Sequence, residues 1–303
     1  MGSKLVTNKI FVAITAIFCC ALWGTSTPIV KMGYAYVNST HTPSLLFWVG
    51  IQFVIAGIFI ILTQSITCKK FALPKKKSIV GTILVALFQT VLQYSLLYIG
   101  LAHTSSVKGA VLKSTDVFFI AILSSVVFKM EKLTLKNFVA CFIGFSGIIV
   151  MNLNGLSFNI SPLGDGLVVL AILFYSLGVI ITKLTAKEEE PLVLCGYQML
   201  IGGAVMFAIG ALTGGKINFV KMLPIILVLS LIYAVAYSLW TFLLKYNSAS
   251  GVSIFSFATP IFGVLFSAIL LSENSGVAPI SLALALFLVC FGIILWGYEK
   301  KKG

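Results

Sequence analysis

Apolar residues fill this chain in runs of about twenty, separated by short polar segments. A helix needs roughly 20 apolar residues to cross about 30 Å of hydrocarbon. Runs of that length fall near residues 10–34, 44–64, 78–101, 106–128, 135–153, 164–186, 191–213, 222–244, 250–272 and 278–298. The pattern predicts an all-α membrane protein with ten transmembrane helices and connections too short to hold a soluble domain. The first run follows Lys4 and Lys9 and opens like a signal peptide. It continues past Trp23 toward Val30, which is too long for a typical h-region. Val6 also breaks the pattern for myristoylation at Gly2. The segment is read as the first transmembrane helix.

Composition agrees with this reading. Of 303 residues, 59% are hydrophobic and 10% charged, and the mean hydropathy is +1.10. A soluble domain carries about 25% charged residues, and a single core stops growing near roughly 250–300 residues. The net charge of +13 comes from 21 lysines and no arginine, lying mainly in the loops. That is the distribution of topology signals rather than of a nucleic-acid groove, so nucleic acid is excluded as a partner. With the N-terminus in the cytoplasm, only Lys31, Lys108, Lys216 and Lys221 fall outside and Lys113 lies within a span. The other sixteen are cytoplasmic, a strong positive-inside bias that places both termini inside a plasma membrane.

Six cysteines form no C-x-x-C pair and have no histidine at ligand spacing. In apolar runs such cysteines behave as small hydrophobes, so neither a disulfide framework nor a metal is expected, and no cofactor. No H-E-x-x-H, Walker A or G-x-S-x-G motif is present, and an enzyme is not expected. The Gly-Asp step in "LGDG" (163–166) lacks a second intramembrane acid, and "NST" (38–40) is a sequon of the kind that arises by chance.

Ten spans divide into five and five. Shifting the chain by 142 residues sets 109–132 over 251–274, where Gly109, Ser114, Leu123, Ser125 and Glu131 meet Gly251, Ser256, Leu265, Ser267 and Glu273. Identity is weak, but hydropathy agrees throughout and the glutamate holds the same helix end. An odd number of spans in each half requires the two copies to face opposite ways. The expected halves are residues 1–155 and 156–303.

"ALWGTSTPIVK" in the first helix and "ATPIFGVLFSAILLSE" in the ninth, within this ten-span plan, resemble the drug/metabolite transporter superfamily of the EamA type. The most specific piece runs from Pro260 to Glu273. The first half departs from it, with Phe118 in place of the proline. The resemblance implies a secondary transporter, an exporter of amino acids or related amphipathic compounds.

The residues that could serve such a function are few. Lys113 and Asp116 stand in the fourth helix, Asp116 roughly 15 Å deep if that helix starts near Ser106. An ionised Asp there costs roughly 2.5–3.5 kcal/mol. Their i, i+3 spacing puts them on one face. Either they neutralise each other, or they line a polar site, with Lys113 toward a substrate carboxylate and Asp116 toward an ammonium. The other seven acids lie at helix ends, in loops or in the tail, so Asp116 is the single deep candidate for proton coupling. Lys113 argues against that role, since a nearby cation favours the ionised carboxylate.

Gln89 and Gln93 share a face of the third helix with Tyr94 nearby, as helix–helix glue or as cavity lining. Trp23, Tyr175, Tyr237 and Trp240 lie inside spans rather than at interfaces. The resemblance makes them cavity walls for an apolar or aromatic substrate; ordinary packing is the alternative. A 152-residue shift pairs Trp23 with Tyr175 and Lys31 with Lys183. Pro28 and Pro260 each remove a backbone hydrogen bond within a span and suit gating bends, though proline is also tolerated in membranes. "GTST" (24–27) and "IGGA" (201–204) permit close helix approach, and Glu131 and Glu273 are expected to fix helix ends. The implied partners are a small-molecule substrate, the lipid bilayer and, as a candidate, a second copy of the chain. Two other functions remain open: efflux of organic cations or multiple drugs, depending on Asp116 alone, and a non-transporting membrane sensor or assembly partner.

Overall fold

A computed structural model describes residues 6–37, 41–104, 106–153, 159–271 and 277–297. Among these residues there are ten helices long and apolar enough to cross a membrane. They are α1 (Lys9–Tyr34), α2 (Thr42–Cys68), α3 (Lys76–Leu101), α4 (Lys108–Val127), α5 (Leu135–Asn152), α6 (Pro162–Thr185), α7 (Pro191–Leu212), α8 (Phe219–Tyr246), α9 (Ala249–Leu270) and α10 (Pro279–Gly297). The expected runs and the observed helices correspond one to one. The sequon at 38–40 and Glu273 lie outside the described residues.

Helix starts follow local chemistry. Asn8, Thr134, Asn218 and Ser248 each accept a first-turn backbone N–H through the side chain, the usual remedy for unpaired N-terminal donors. Pro191 opens α7, where its missing N–H costs nothing. Lys9 Nζ donates to the Gly297 carbonyl (2.5 Å), and Asn247 Nδ2 to the Val6 carbonyl (3.2 Å). The start of α1 and the end of α10 therefore share one end of the bundle, as an even helix count requires.

The principal helix neighbours are α1 with α8 and α9, α6 with α3 and α4, α2 with α7 and α8, α3 with α7, α5 with α10, α7 with α8, and α4 with α9. Adding five to every helix number, with α1 following α10, maps these pairs onto one another except α7 with α8, whose image, α2 with α3, is a weaker contact. The small residues expected at contacts are there. A Cβ on Gly24 of α1 would come within 2.5 Å of Phe262 Cβ in α9, and one on Gly203 of α7 within 2.6 Å of the Val54 nitrogen in α2.

Four spans are irregular. α3 contains a π-helical stretch, Ala86–Leu92, that carries Gln89, and α6 opens with another, Pro162–Gly166. α4 is broken into Ser106–Lys113 and Asp116–Ile122 by a turn at Ser114–Thr115, and then ends in a π-helical stretch, Leu123–Val127. α9 passes from α-helix through a 3₁₀ stretch, Ile254–Phe257, back to α-helix at Ala258. Under the 142-residue shift that stretch falls on residues 112–115, which include the turn of α4. The two irregularities occupy equivalent places.

Candidate substrate site

The turn in α4 dictates the polar half of the site. Ser114 N–H is shared between the carbonyls of Ala110 and Val111 (both 3.2 Å), and Thr115 N–H closes a tight bond to Leu112 (3.0 Å). The second half-helix begins at Asp116, whose Oδ1 accepts the N–H of Val117 (2.8 Å). Irregular backbone at membrane depth is tolerated where protein covers it or where it lines a cavity. The carboxylate's other partner comes from the opposite half of the chain. Ser256 Oγ, in the 3₁₀ stretch of α9, lies 3.2 Å from Asp116 Oδ1 and 3.1 Å from Oδ2 and donates to them. Asp116 is buried.

Lys113 and Asp116, both described residues, form no ion pair, although each lies near enough to feel the other's charge. The reason is the turn: i, i+3 residues share a face only while the helix continues, and residues 114–115 leave it. Lys113 closes the first half-helix with an exposed side chain, while Asp116 opens the second, facing α9. Cys20 of α1, Cys141 of α5 and Tyr175 of α6 lie near enough to feel the Asp116 charge.

The aromatic half is a packed column between α1, α3 and α8. The ring of Trp23 meets Tyr237 edge-on at 5.3 Å and Trp240 at 4.9 Å, the geometry that ring quadrupoles favour. Tyr94 and Tyr237 share a hydrogen bond between hydroxyls (2.7 Å). Tyr233 joins at 6.3 Å from Tyr237, and Phe53 of α2 packs on Tyr94 at 4.7 Å. Tyr175, close enough to couple electrostatically to both Asp116 and Tyr94, links the two halves.

Gln89 accepts from Thr182 Oγ1 of α6 (3.1 Å), so it serves as interhelical glue. Gln93 is buried with its Oε1 free of any hydrogen-bond partner among the described residues, as are the ring nitrogens of Trp23 and Trp240. Polar atoms left so are candidates to meet a substrate, because a buried donor or acceptor normally finds a partner.

Pro28 is buried inside an unbroken α1. Pro260 stands in the first turn of the second α9 segment, just past the 3₁₀ stretch. Its ring opposes the carbonyl four residues back, that of Ser256, which places the proline and the Asp116 partner at one irregularity. Ser256 was visible beforehand only as the repeat partner of Ser114. Tyr233 was missed, although Tyr233, Tyr237 and Trp240 stand at i, i+4 and i+7, one face of a helix.

Acidic residues at helix ends have other work. Glu131, just past α4, accepts the N–H groups of Ala249 (2.5 Å) and Ser250 (3.2 Å) and the Ser250 hydroxyl, and so caps α9 as expected of it. Asp165 accepts from Lys108 Nζ (2.5 Å), Thr104 Oγ1 (2.5 Å) and Ser161 N (2.8 Å), which binds the start of α4 to α6. Lys183 donates to the carbonyls of Leu244 and Asn247 at the C-terminal end of α8.

Comparison with known proteins fits this architecture. The profile of the EamA-like transporter family matches twice, over residues 10–153 and 162–298. The chain is 26% identical to the uncharacterized transporter YvbV of Bacillus subtilis, over 95% of this chain and 92% of that one. It is 24% identical to an uncharacterized transporter of Methanothermobacter thermautotrophicus, over 89% and 79%. A solved crystal structure superposes with a TM-score of 0.75 at 14% identity, over 94% of this chain and 98% of that one, which shows a shared fold. With ten apolar helices and both halves matched, this multi-pass membrane protein belongs to the EamA-like transporter family of the drug/metabolite transporter superfamily.

Proposed function

We propose that the protein is a secondary transporter that exports small organic metabolites, amino acids or related amphipathic compounds, by alternating access. Residues 1–155 and 156–303 form its two inverted halves, and the recurrence of all but one of the principal helix pairs under a shift of five supports that arrangement. Both termini face the cytoplasm of a plasma membrane, in keeping with the lysine bias.

The observation that carries this reading is the broken α4, which sets a buried carboxylate against α9 beside an aromatic column. Discontinuous helices at mid-membrane are where transporters of other folds bind substrates and ions. Asp116 would receive a substrate ammonium and Lys113 a carboxylate. Gln93, Tyr94, Trp23, Tyr175, Tyr237 and Trp240 would line the remainder, with Gln89 holding α3 to α6. Pro28 and Pro260 would be the points at which α1 and α9 bend as they move. A second copy of the chain is a candidate partner.

Separation of Lys113 from Asp116 favours one second reading, efflux of organic cations, in which Asp116 and the aromatic rings act without the lysine. Flux into liposomes of purified protein, with amino acids, organic cations and sugars as probes, separates the two. Zwitterion flux that falls in both Asp116→Asn and Lys113→Gln supports the first. Cation flux that falls in Asp116→Asn alone supports the second. Flux unchanged by either substitution removes this site from the pathway.

A further inference from the structure

The loop between α2 and α3 reads "KKFALPKKK" (69–77), five lysines and no acid in nine residues. Its path is fixed rather than slack. Lys69 closes α2 in the left-handed region (φ 51°), where glycine is the usual and less strained residue. Exposure then alternates. Phe71 and Leu73 face outward, both 65% exposed, while Ala72 between them is buried. That is the period of two of an extended chain. Three contacts hold the segment to the bundle. Ser65 Oγ accepts the Ala72 N–H (3.0 Å), the Tyr197 hydroxyl of α7 donates to the Ala72 carbonyl (3.0 Å), and Glu189 accepts the Lys75 N–H (2.6 Å). With Ala72 pinned inward, its two apolar neighbours are held out.

Two of the five lysines are engaged locally. Lys75 Nζ donates to the Glu188 carbonyl (2.9 Å), and Lys77 pairs with the Glu188 carboxylate. Lys69, Lys70 and Lys76 are exposed and form no ion pair among the described residues. Large apolar side chains between groups of lysines, at the end of a span, match the boundary of a bilayer. There the apolar groups reach the border of the acyl chains, and lysine stems lie along apolar surface with the ammonium at headgroup depth. Anionic lipid attracts basic segments placed beside a span.

We infer that the α2–α3 loop is a binding site for anionic phospholipid of the leaflet at that end of the bundle. Lys69, Lys70 and Lys76 contact the phosphates, and Phe71 and Leu73 insert beside the acyl chains. Through Ala72 and Lys75 the bound lipid is fastened to α7 and to the α6–α7 loop. The inference does not depend on what the protein transports.

The test titrates purified full-length protein in detergent with phosphatidylglycerol or phosphatidylcholine and follows the lipid adducts by native mass spectrometry. Wild type should bind phosphatidylglycerol more tightly, by roughly fivefold for each lysine engaged. The triple variant Lys69→Gln/Lys70→Gln/Lys76→Gln should bring the two affinities together. A second triple variant, Lys129→Gln/Lys132→Gln/Lys187→Gln, removes the same charge from two other loops and should keep the preference. Equal loss in both variants assigns the preference to net charge and overturns the proposal, as does no loss in the first. Phe71→Ser/Leu73→Ser should weaken binding of both lipids; unchanged affinity overturns the insertion and the proposal with it. Glycerol phosphate, a headgroup without chains, should fail to displace phosphatidylglycerol. Ready displacement assigns the site to a soluble phosphate and overturns the lipid. Every altered side chain is exposed, so each variant should keep the wild-type melting temperature, which separates lost binding from lost folding.

Discussion

Glu189 and Asp116 are both buried carboxylates, but one closes a helix end and the other interrupts a span. Glu189 accepts the N–H of Lys75 (2.6 Å), the Ser78 hydroxyl (2.6 Å) and the N–H of Glu190 (2.9 Å), with Lys75 Nζ at 4.0 Å. It sits at the mouth of α3, where unpaired donors and a positive dipole favour an anion. Glu131 does the same at α9, and Asp165 holds Lys108. Asp116 has two donors and, among the described residues, no ion pair. The end carboxylates gain stability from their charge, while Asp116 keeps its charge at the expense of stability. Each substitution below tests that contrast.

Glu189→Ala carries the largest expected effect, about 2–3 kcal/mol lost, read as a fall in melting temperature of the detergent-solubilised protein. Burial pushes the Glu189 carboxyl up, but hydrogen bonds from Ser78, Lys75 and Glu190 and the Lys75 charge outweigh it and hold it below its ordinary value. A group depressed in the folded state stabilises above its unfolded value, about 4.3. That contribution is lost as pH falls through the folded value. Wild type and variant should therefore differ fully at neutral pH and converge in acid. A difference that persists undiminished at low pH would mean that packing, not charge, is at work.

Glu131→Gln should cost less, about 1–2 kcal/mol, because the amide keeps one acceptor oxygen while losing the charge and turning the other acceptor into a donor. Hydrogen exchange should quicken at Ala249–Ser253 before it does elsewhere. If protection at that end of α9 is unchanged, Glu131 is not its cap.

Asp116→Asn reverses the sign. Replacing a buried charge by a neutral group of the same shape is often neutral or stabilising, so the melting temperature should hold or rise, by up to about 1 kcal/mol of stability. A fall as large as that of Glu189→Ala would erase the distinction between the two sites.

Reading the sequence reached the helices and stopped short of the contacts. Twenty-residue apolar runs announce themselves, and even the errors were small: the run near 222–244 proved to be Phe219–Tyr246, since Lys221 is tolerated at the very end of a span. Lys113 and Asp116 were legible as unusual, because charge in a span always is. Their separation was not, since Ser and Thr at 114–115 are compatible with a continuous helix and the turn is set by tertiary packing. Ser256 lies 140 residues from Asp116, a pairing that only the folded bundle makes. The Tyr233, Tyr237 and Trp240 stripe, at i, i+4 and i+7, is legible from a helical count.

The smallest effect is expected one residue from the largest. Glu188 pairs with Lys77, and the hydrogen bond and charge of that lysine hold its carboxyl below the ordinary range. Both side chains are exposed, at 52% and 64%. Surface pairs of this kind contribute little, because water screens them and two long side chains lose freedom to meet. Lys77→Ala should leave the melting temperature unchanged within error, at low salt and at high. Glu188 and Glu189 share a loop, a charge and a lysine-rich neighbourhood, and differ in whether water reaches the carboxylate. If Lys77→Ala destabilised the protein as much as Glu189→Ala, burial would not be what separates them, and the case for Asp116 as a site where burial works against charge would weaken with it.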